Sequence, residues 1–187
     1  GVGTLGLRRF NEQRWRVIAG LEALEKPVIA AVNGLCLGGG FEFAMGCHLR
    51  VAAAHAEFGL PEINLGLLPA WSGTQRLPRL VGAGPALELM LTGRRMRADE
   101  ALRLGAVNRI VPSETLLEAA LGFAAELASR APLAVAGILR AVRLGSTSFS
   151  DGLEAEFRAV EKTGASADAA EGLAAFFEKR TPVFRGE

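Results

Sequence analysis

Two glutamates, Glu42 and Glu62, stand twenty positions apart in stretches that are otherwise apolar. Glu42 is flanked by Phe41, Phe43, Ala44 and Met45, and Glu62 lies in the segment FGLPEINLGLLP beside Leu60, Ile63 and Leu65. A carboxyl group set among apolar side chains loses hydration, which disfavours its charged form and raises its pKa. Two such groups can divide acid and base work near neutrality, one holding a proton while the other stays ionised. A plainer role is also open to Glu42, since a glutamate in a helix's first turn complements the dipole while facing water. The sequence by itself does not say that the two carboxyls meet.

Directly before Glu42 runs Gly38, Gly39 and Gly40, after a short apolar strand and at the start of a helix. Residues without Cβ let a ligand approach the backbone, and the free amides and partial positive charge of a helix N-terminus stabilise an anion or a developing oxyanion. Phosphate would fit the same description, but no Gly-Lys-Ser/Thr closes the run and the dinucleotide spacing is not cleanly met. The same glycines can simply let helix and sheet pack closely. Other chemistry is thinner. His48 and His55 are seven apart with no third ligand at useful spacing, so no metal site is expected. Ser72 and Cys36 have no identifiable activating base, and Trp71 can line a pocket or merely pack.

Composition narrows the classes. The chain has 187 residues, half of them apolar and 22% charged, with a formal net charge of +1. That length supports a real core, and the charge balance excludes a disordered polyampholyte and capture of nucleic acid or anionic lipid as the main activity. Two cysteines cannot build a disulfide framework, which points to a reducing, cytoplasmic setting. No window approaches the roughly 20 uninterrupted apolar residues of a membrane span, so no membrane partner is expected. The opening GVGTLGLRRFNEQRW has neither an initiator Met nor a secretory layout, so the start is expected to have been removed or to lie within a longer chain.

The elements that must position these residues follow from periodicity. Trp15, Ile18, Leu21 and Leu24 recur every three residues, predicting an amphipathic helix from Asn11 to Glu25 that Pro27 stops. Val28 to Val32 reads as a buried strand, Phe41 to Gly46 as a helix of two turns, and Leu49 to Ala53 as a second strand, together a βαβ unit. Residues 54 to 71 read as loops and short turns. Helices are predicted at Ser72–Val81, Pro85–Leu91 and Asp99–Leu104, with a strand at Ala106–Val111. Beyond Pro112 the pattern is purely helical: Ser113–Arg130, Pro132–Leu144, Ser150–Lys162 and Ser166–Lys179. The division is therefore residues 1–112, an α/β core with the active site, and 113–187, a helical region.

The strings KPVIAAVNGLCLGGGFEFAMGCHLRVAA, FGLPEINLGLLPAWSGTQRLPRLVG and LTGRRMRADEALRLGAVNRIVP resemble the enoyl-CoA hydratase/isomerase, or crotonase, family. The likeness runs from about Lys26 to Pro112 and more loosely on to EGLAAFFEKR. It implies an α/β spiral of ββα units with C-terminal helices that contact CoA and neighbouring subunits, as a homotrimer or dimer of trimers. It implies an acyl-CoA thioester substrate, no cofactor beyond that CoA, and an oxyanion donor at the Gly39 amide. It assigns Glu42 and Glu62 to hydration of a 2-enoyl-CoA, with Gly38, Pro61 and Trp71 facing substrate. It also suggests that Phe176 and Lys179 approach CoA, although packing and a solvated charge explain them equally well. Isomerase or other acyl-CoA chemistry, or a shortened CoA-binding or partner-binding homologue without turnover, are the alternatives.

The pattern is departed from in three places. Members carry a longer N-terminal region with early strands and an Ala-Gly-x-Asp-like segment that gives a second oxyanion amide; that segment is not in this sequence, and one such donor is worth about 100- to 1000-fold in rate. His48 stands where aspartate is usual, and Ser72 where glycine is common.

Overall fold

The chain deals its first four strands alternately to two sheets. The computed structural model describes residues 4–187; Gly1 to Gly3, where the expectation about the start of the chain falls, lie outside them. After helix α1 (Thr4–Glu22), β1 (Ile29–Val32) enters one sheet and β2 (Leu35–Leu37) the other, followed by α2 (Gly39–Gly46). β3 (Leu49–Ala53) returns to the first sheet, β4 (Glu57–Gly59) to the second, and a 3-10 helix (Pro61–Leu65) and α3 (Gly73–Val81) follow. This is the ββα advance of a spiral. Next come α4 (Ala83–Thr92), β5 (Met96–Arg97), α5 (Ala98–Arg103), β6 (Arg109–Val111), a 3-10 turn (Ser113–Thr115) and α6 (Leu116–Ala128).

The first sheet is parallel, in the order β1-β3-β6, with Ile29 opposite Leu49 and Val51 opposite Arg109. The second has the order β2-β4-β5; β2 and β4 are parallel with Leu37 opposite Gly59, and β5 runs antiparallel. The expected βαβ crossover from β1 to β3 is present. Three expectations are corrected. The glycine-led stretch begins with a strand, β2; the segment read as loops contains β4; and β5 lies between helices where only a stop was read. Each is two or three residues long, too short to show alternation, and exists because a neighbouring strand pairs with it.

Thr4–Glu22 together with Val28–Ala120 form one compact unit; Ala23–Pro27 with Leu121–Glu187 form another. The core of the first gathers Phe41, Phe58, Leu60, Leu77, Leu89 and Met96, with the Phe41 and Phe58 rings tilted at 5.4 Å. Burial of such side chains stabilises the fold by about 1.5–3 kcal/mol each. α1 is longer at its start and shorter at its end than expected. Of its apolar stripe, Ile18 is fully buried against Gly46, whereas Trp15 and Leu24 are exposed, Leu24 lying past the helix end.

In the second unit α7 (Pro132–Gly145) packs along α8 (Phe149–Gly164), where Gly145 and Gly152 let the backbones approach. α9 (Ala167–Glu178) follows, and the tail folds back on it. Buried Asp168 accepts from the amides of Arg185 and Gly186 at 2.7 and 2.8 Å, and Glu171 takes the Arg180 guanidinium and the Val183 amide. Among the described residues no single helix is long and apolar enough to cross a membrane.

Candidate active site

Both glutamates follow the carboxyl ends of two adjacent parallel strands. β2 leads through Gly38 into α2 and so to Glu42, and β4 leads through Leu60 into the 3-10 helix and Glu62. The Gly38 amide donates to the Gly59 carbonyl at 2.9 Å, extending the ladder to the point where the chains leave it. Gly38 has φ 54° and ψ −130°, a conformation that favours glycine, and a side-chain carbon there would sit 3.1 Å from Glu62 Oε1. The Glu62 carboxyl therefore lies against the glycine turn that opens the Glu42 helix.

Glu42 is 2% exposed. Its Oε1 accepts the Trp71 amide at 2.8 Å and the Gly73 amide at 2.7 Å, which leaves Oε2 for other work. Gly73 must be glycine for this approach, since a side-chain carbon would come within 2.9 Å of Glu42 Oε1, Leu60 and Pro69 alike. Between the two donating residues Ser72 takes φ 81° and ψ 17°, the left-handed conformation a glycine would adopt without strain. Its hydroxyl donates to the Trp71 carbonyl.

Burial raises the Glu42 pKa above the ordinary 4.5, the Gly73 and Trp71 amides oppose that shift, and the Glu62 charge adds to it. Glu62 is also raised, chiefly by desolvation, with only its own amide opposing. Its Oε2 is buried and has no hydrogen-bond partner. The Glu62 charge thus bears on Glu42, and Glu62 is held by fewer donors.

Gly39 starts α2. The Glu42 amide closes the first turn on the Gly38 carbonyl at 3.0 Å, so the amides of Gly39, Gly40 and Phe41 precede any intrahelical acceptor. The benzo edge of Trp71 lies against the Cα of Gly39; a side-chain carbon there would be 2.6 Å from Cε3 and 2.9 Å from Cη2 of the indole. Trp71 Nε1 donates to Asn11 Oδ1 at 3.2 Å. Pro61 sits half-buried at the first position of the 3-10 helix, where its missing N–H is no loss. The structure therefore brings Gly38, Gly39, Glu42, Glu62 and Trp71 together, with Pro61 beside Glu62 in the chain. Phe176 and Lys179 belong to the second unit. There Phe176 is exposed and pairs edge-on with Phe177 at 5.6 Å, and Lys179 caps α9 with φ 54°.

Sequence reasoning missed the parts that hold Glu42. The Trp71 and Gly73 amides carry no sequence signal, being ordinary backbone groups delivered by a turn. Arg50 did carry one, as the lone charge in an apolar strand. Buried beneath α2, it donates to the carbonyls of Ala44 and Cys47 at the end of that helix, at 3.0 and 2.7 Å, and to Ala106 at 2.7 Å. A cation there also complements the helix dipole. His48 Nδ1 accepts the Val28 amide at 3.0 Å, and His55 donates from Nε2 to the Asn33 carbonyl at 2.9 Å, so both imidazoles are tied to backbone. Cys36 and Cys47 are buried and unbridged, and burial pushes the Cys36 thiol up to about 11. Among the described residues no group of three His, Cys, Asp or Glu side chains gathers around a common point.

Comparison with known proteins follows the same line. A family model described as enoyl-CoA hydratase/isomerase matches residues 8–187. The chain is 43% identical over 180 residues to a short-chain-enoyl-CoA hydratase of Clostridium acetobutylicum, covering 96% of this chain and 69% of that protein. It is 45% identical over 184 residues to a crotonyl-CoA hydratase of Syntrophomonas wolfei, covering 98% and 71%. The crystal structure of an enoyl-CoA hydratase from Bacillus anthracis superposes with a TM-score of 0.93 at 41% identity, covering all of this chain and 73% of that one.

Proposed function

The chain belongs to the enoyl-CoA hydratase/isomerase family, and from that membership we propose that it hydrates the 2,3 double bond of a 2-enoyl-CoA thioester. The observation that carries this reading is the delivery of two desolvated carboxyls, Glu42 and Glu62, by adjacent parallel strands to the glycine turn that heads α2. Hydratase names on similar proteins support the same choice over isomerisation.

The hydrogen bonds support one division of roles. Glu42, with Oε1 held by two amides, is the better stabilised as an anion, so its Oε2 takes a proton from water as the water oxygen bonds to C3. The C2–C3 π pair moves toward the thioester, and the charge that develops on its oxygen is met by the Gly39 amide and the helix dipole. Glu62, raised by desolvation and with one oxygen unpartnered, supplies the proton that C2 takes up. Water has then been added across the bond, and the proton now on Glu42 returns to Glu62 through exchange with solvent. No cofactor enters apart from the CoA carried by the substrate.

Phe176 and Lys179 are proposed as CoA contacts, and a trimer or dimer of trimers as the assembly, in line with the many exposed apolar side chains of α8 and α9. Two buried, unbridged thiols favour a reducing compartment such as the cytoplasm. The test is direct. Crotonyl-CoA mixed with the protein loses its conjugated absorbance and yields 3-hydroxybutyryl-CoA by mass spectrometry; an unchanged absorbance, or a product of unaltered mass with a shifted double bond, would overturn the reading.

A further inference from the structure

We propose that the Trp71 side chain is the specificity-determining wall of the acyl pocket and confines the protein to short 2-enoyl chains; this rests on the hydratase reading of the site. Residue 71 contacts both Glu42 and Gly39. Its amide donates to Glu42 Oε1 at 2.8 Å, and its benzo edge lies against Gly39. A thioester oxygen bonded to the Gly39 amide and a C3 in reach of water on Glu42 set the substrate across the interval that residue 71 bridges. The carbons beyond C3 then meet the indole.

The ring is braced from behind by α1. Its Nε1 donates to Asn11 at 3.2 Å, the Phe10 ring lies 6.4 Å away, and the Arg14 guanidinium stands 4.9 Å from its centroid while stacked on Phe10. Trp15 Nε1 grips the Ala70 carbonyl at 2.6 Å, immediately before Trp71 in the chain. At the far end of α1, Glu22 holds Arg76 bidentately at 2.7 Å, and Arg76 reaches the Trp71 carbonyl at 3.4 Å. Swinging the indole aside for a longer chain would break its contacts with Asn11, Phe10 and Arg14 together, while the bonds at Ala70 and Arg76 hold the backbone on either side in place. A crotonyl group needs room for one carbon past C3, whereas a decenoyl group needs room for seven.

Backbone and side chain of residue 71 do separate jobs, so the test reads the ratio between two substrates, which a general loss at Glu42 would lower for both alike. kcat/KM is measured for crotonyl-CoA and trans-2-decenoyl-CoA with the wild type, Trp71→Phe and Trp71→Ala. The wild type is expected to favour crotonyl-CoA at least tenfold, and Trp71→Ala to raise the decenoyl-to-crotonyl ratio at least fivefold, mainly through KM. Trp71→Phe keeps a ratio near that of the wild type. A smaller wild-type preference, or a smaller change in Trp71→Ala, overturns the wall. Calorimetric binding of butyryl-CoA and decanoyl-CoA to the wild type gives a readout independent of turnover and of the variants' folding. Tighter binding of the decanoyl ligand overturns the proposal, while absence of hydration with the butyryl preference intact overturns the hydratase reading alone.

Discussion

The Gly38 amide donates to the Gly59 carbonyl at 2.9 Å, one step beyond the β2–β4 register, and so fastens the start of the Glu42 helix to the strand that leads to Glu62. The two acids thereby start from one paired sheet edge, each carried a few residues beyond it by a helix. The proposed hydration depends on that spacing, because proton transfer requires hydrogen-bond reach.

Glu42→Gln and Glu62→Gln are each expected to lower kcat for crotonyl-CoA hydration by about 100-fold or more, the usual worth of a positioned acid or base. Both variants keep the wild-type circular dichroism. Near-normal turnover in both defeats the assignment.

Stability should depend on pH through Glu62. Its folded pKa is raised above the ordinary 4.5, so between that value and the raised one the folded form binds more protons than the unfolded form. Its contribution is complete below 4.5 and declines as pH climbs through that window. Chemical denaturation of wild type and Glu62→Gln at a series of pH values checks this: the wild type loses ground to the variant as pH rises, and a gap that stays constant rejects it.

Ser72→Gly removes a left-handed non-glycine residue and should stabilise the fold by about 0.5–1 kcal/mol after the extra backbone entropy of glycine is offset. Gly73→Ala drives a methyl into Glu42, Leu60 and Pro69 and should cost about 1–3 kcal/mol while lowering turnover. Urea midpoints at unchanged slope read both effects.

Arg50→Met strands the carbonyls of Ala44, Cys47 and Ala106 and is expected to destabilise by about 3 kcal/mol or more. Arg50→Lys recovers little of this, because an ammonium cannot span acceptors arranged for a planar fork. The melting temperature of the two variants decides the matter.

In the second unit, Asp168→Asn weakens two charge-assisted bonds to the tail. Hydrogen exchange at the amides of Arg185 and Gly186 should quicken, with the amides of α7 and α8 unaffected. Uniform acceleration throughout the unit contradicts a local clasp.

The features readable in the sequence were the local ones. Long periodic helices, the continuous strand before the glycines and the apolar setting of Glu42 and Glu62 all express themselves within a few residues. β2, β4 and β5 do not, because three residues have no period and owe their conformation to partners such as Leu37 for Gly59. The same holds at the site. Glu42 is secured from 29 and 31 residues away by backbone amides, groups that every residue possesses, and only the fold selects Trp71 and Gly73 for the task. Arg50 lies between these cases. Its charge in the run LRVAA marks it as unusual, but its three carbonyl partners come from α2 and from the loop after α5.

Burial of Cys36 and Cys47 has a practical corollary. With both sulfurs enclosed and their thiolate forms disfavoured, the folded protein should be silent toward a chromogenic disulfide reagent. Colour developing in a reaction mixture would then come from liberated coenzyme, so cleavage of the thioester can be told apart from hydration in a single cuvette.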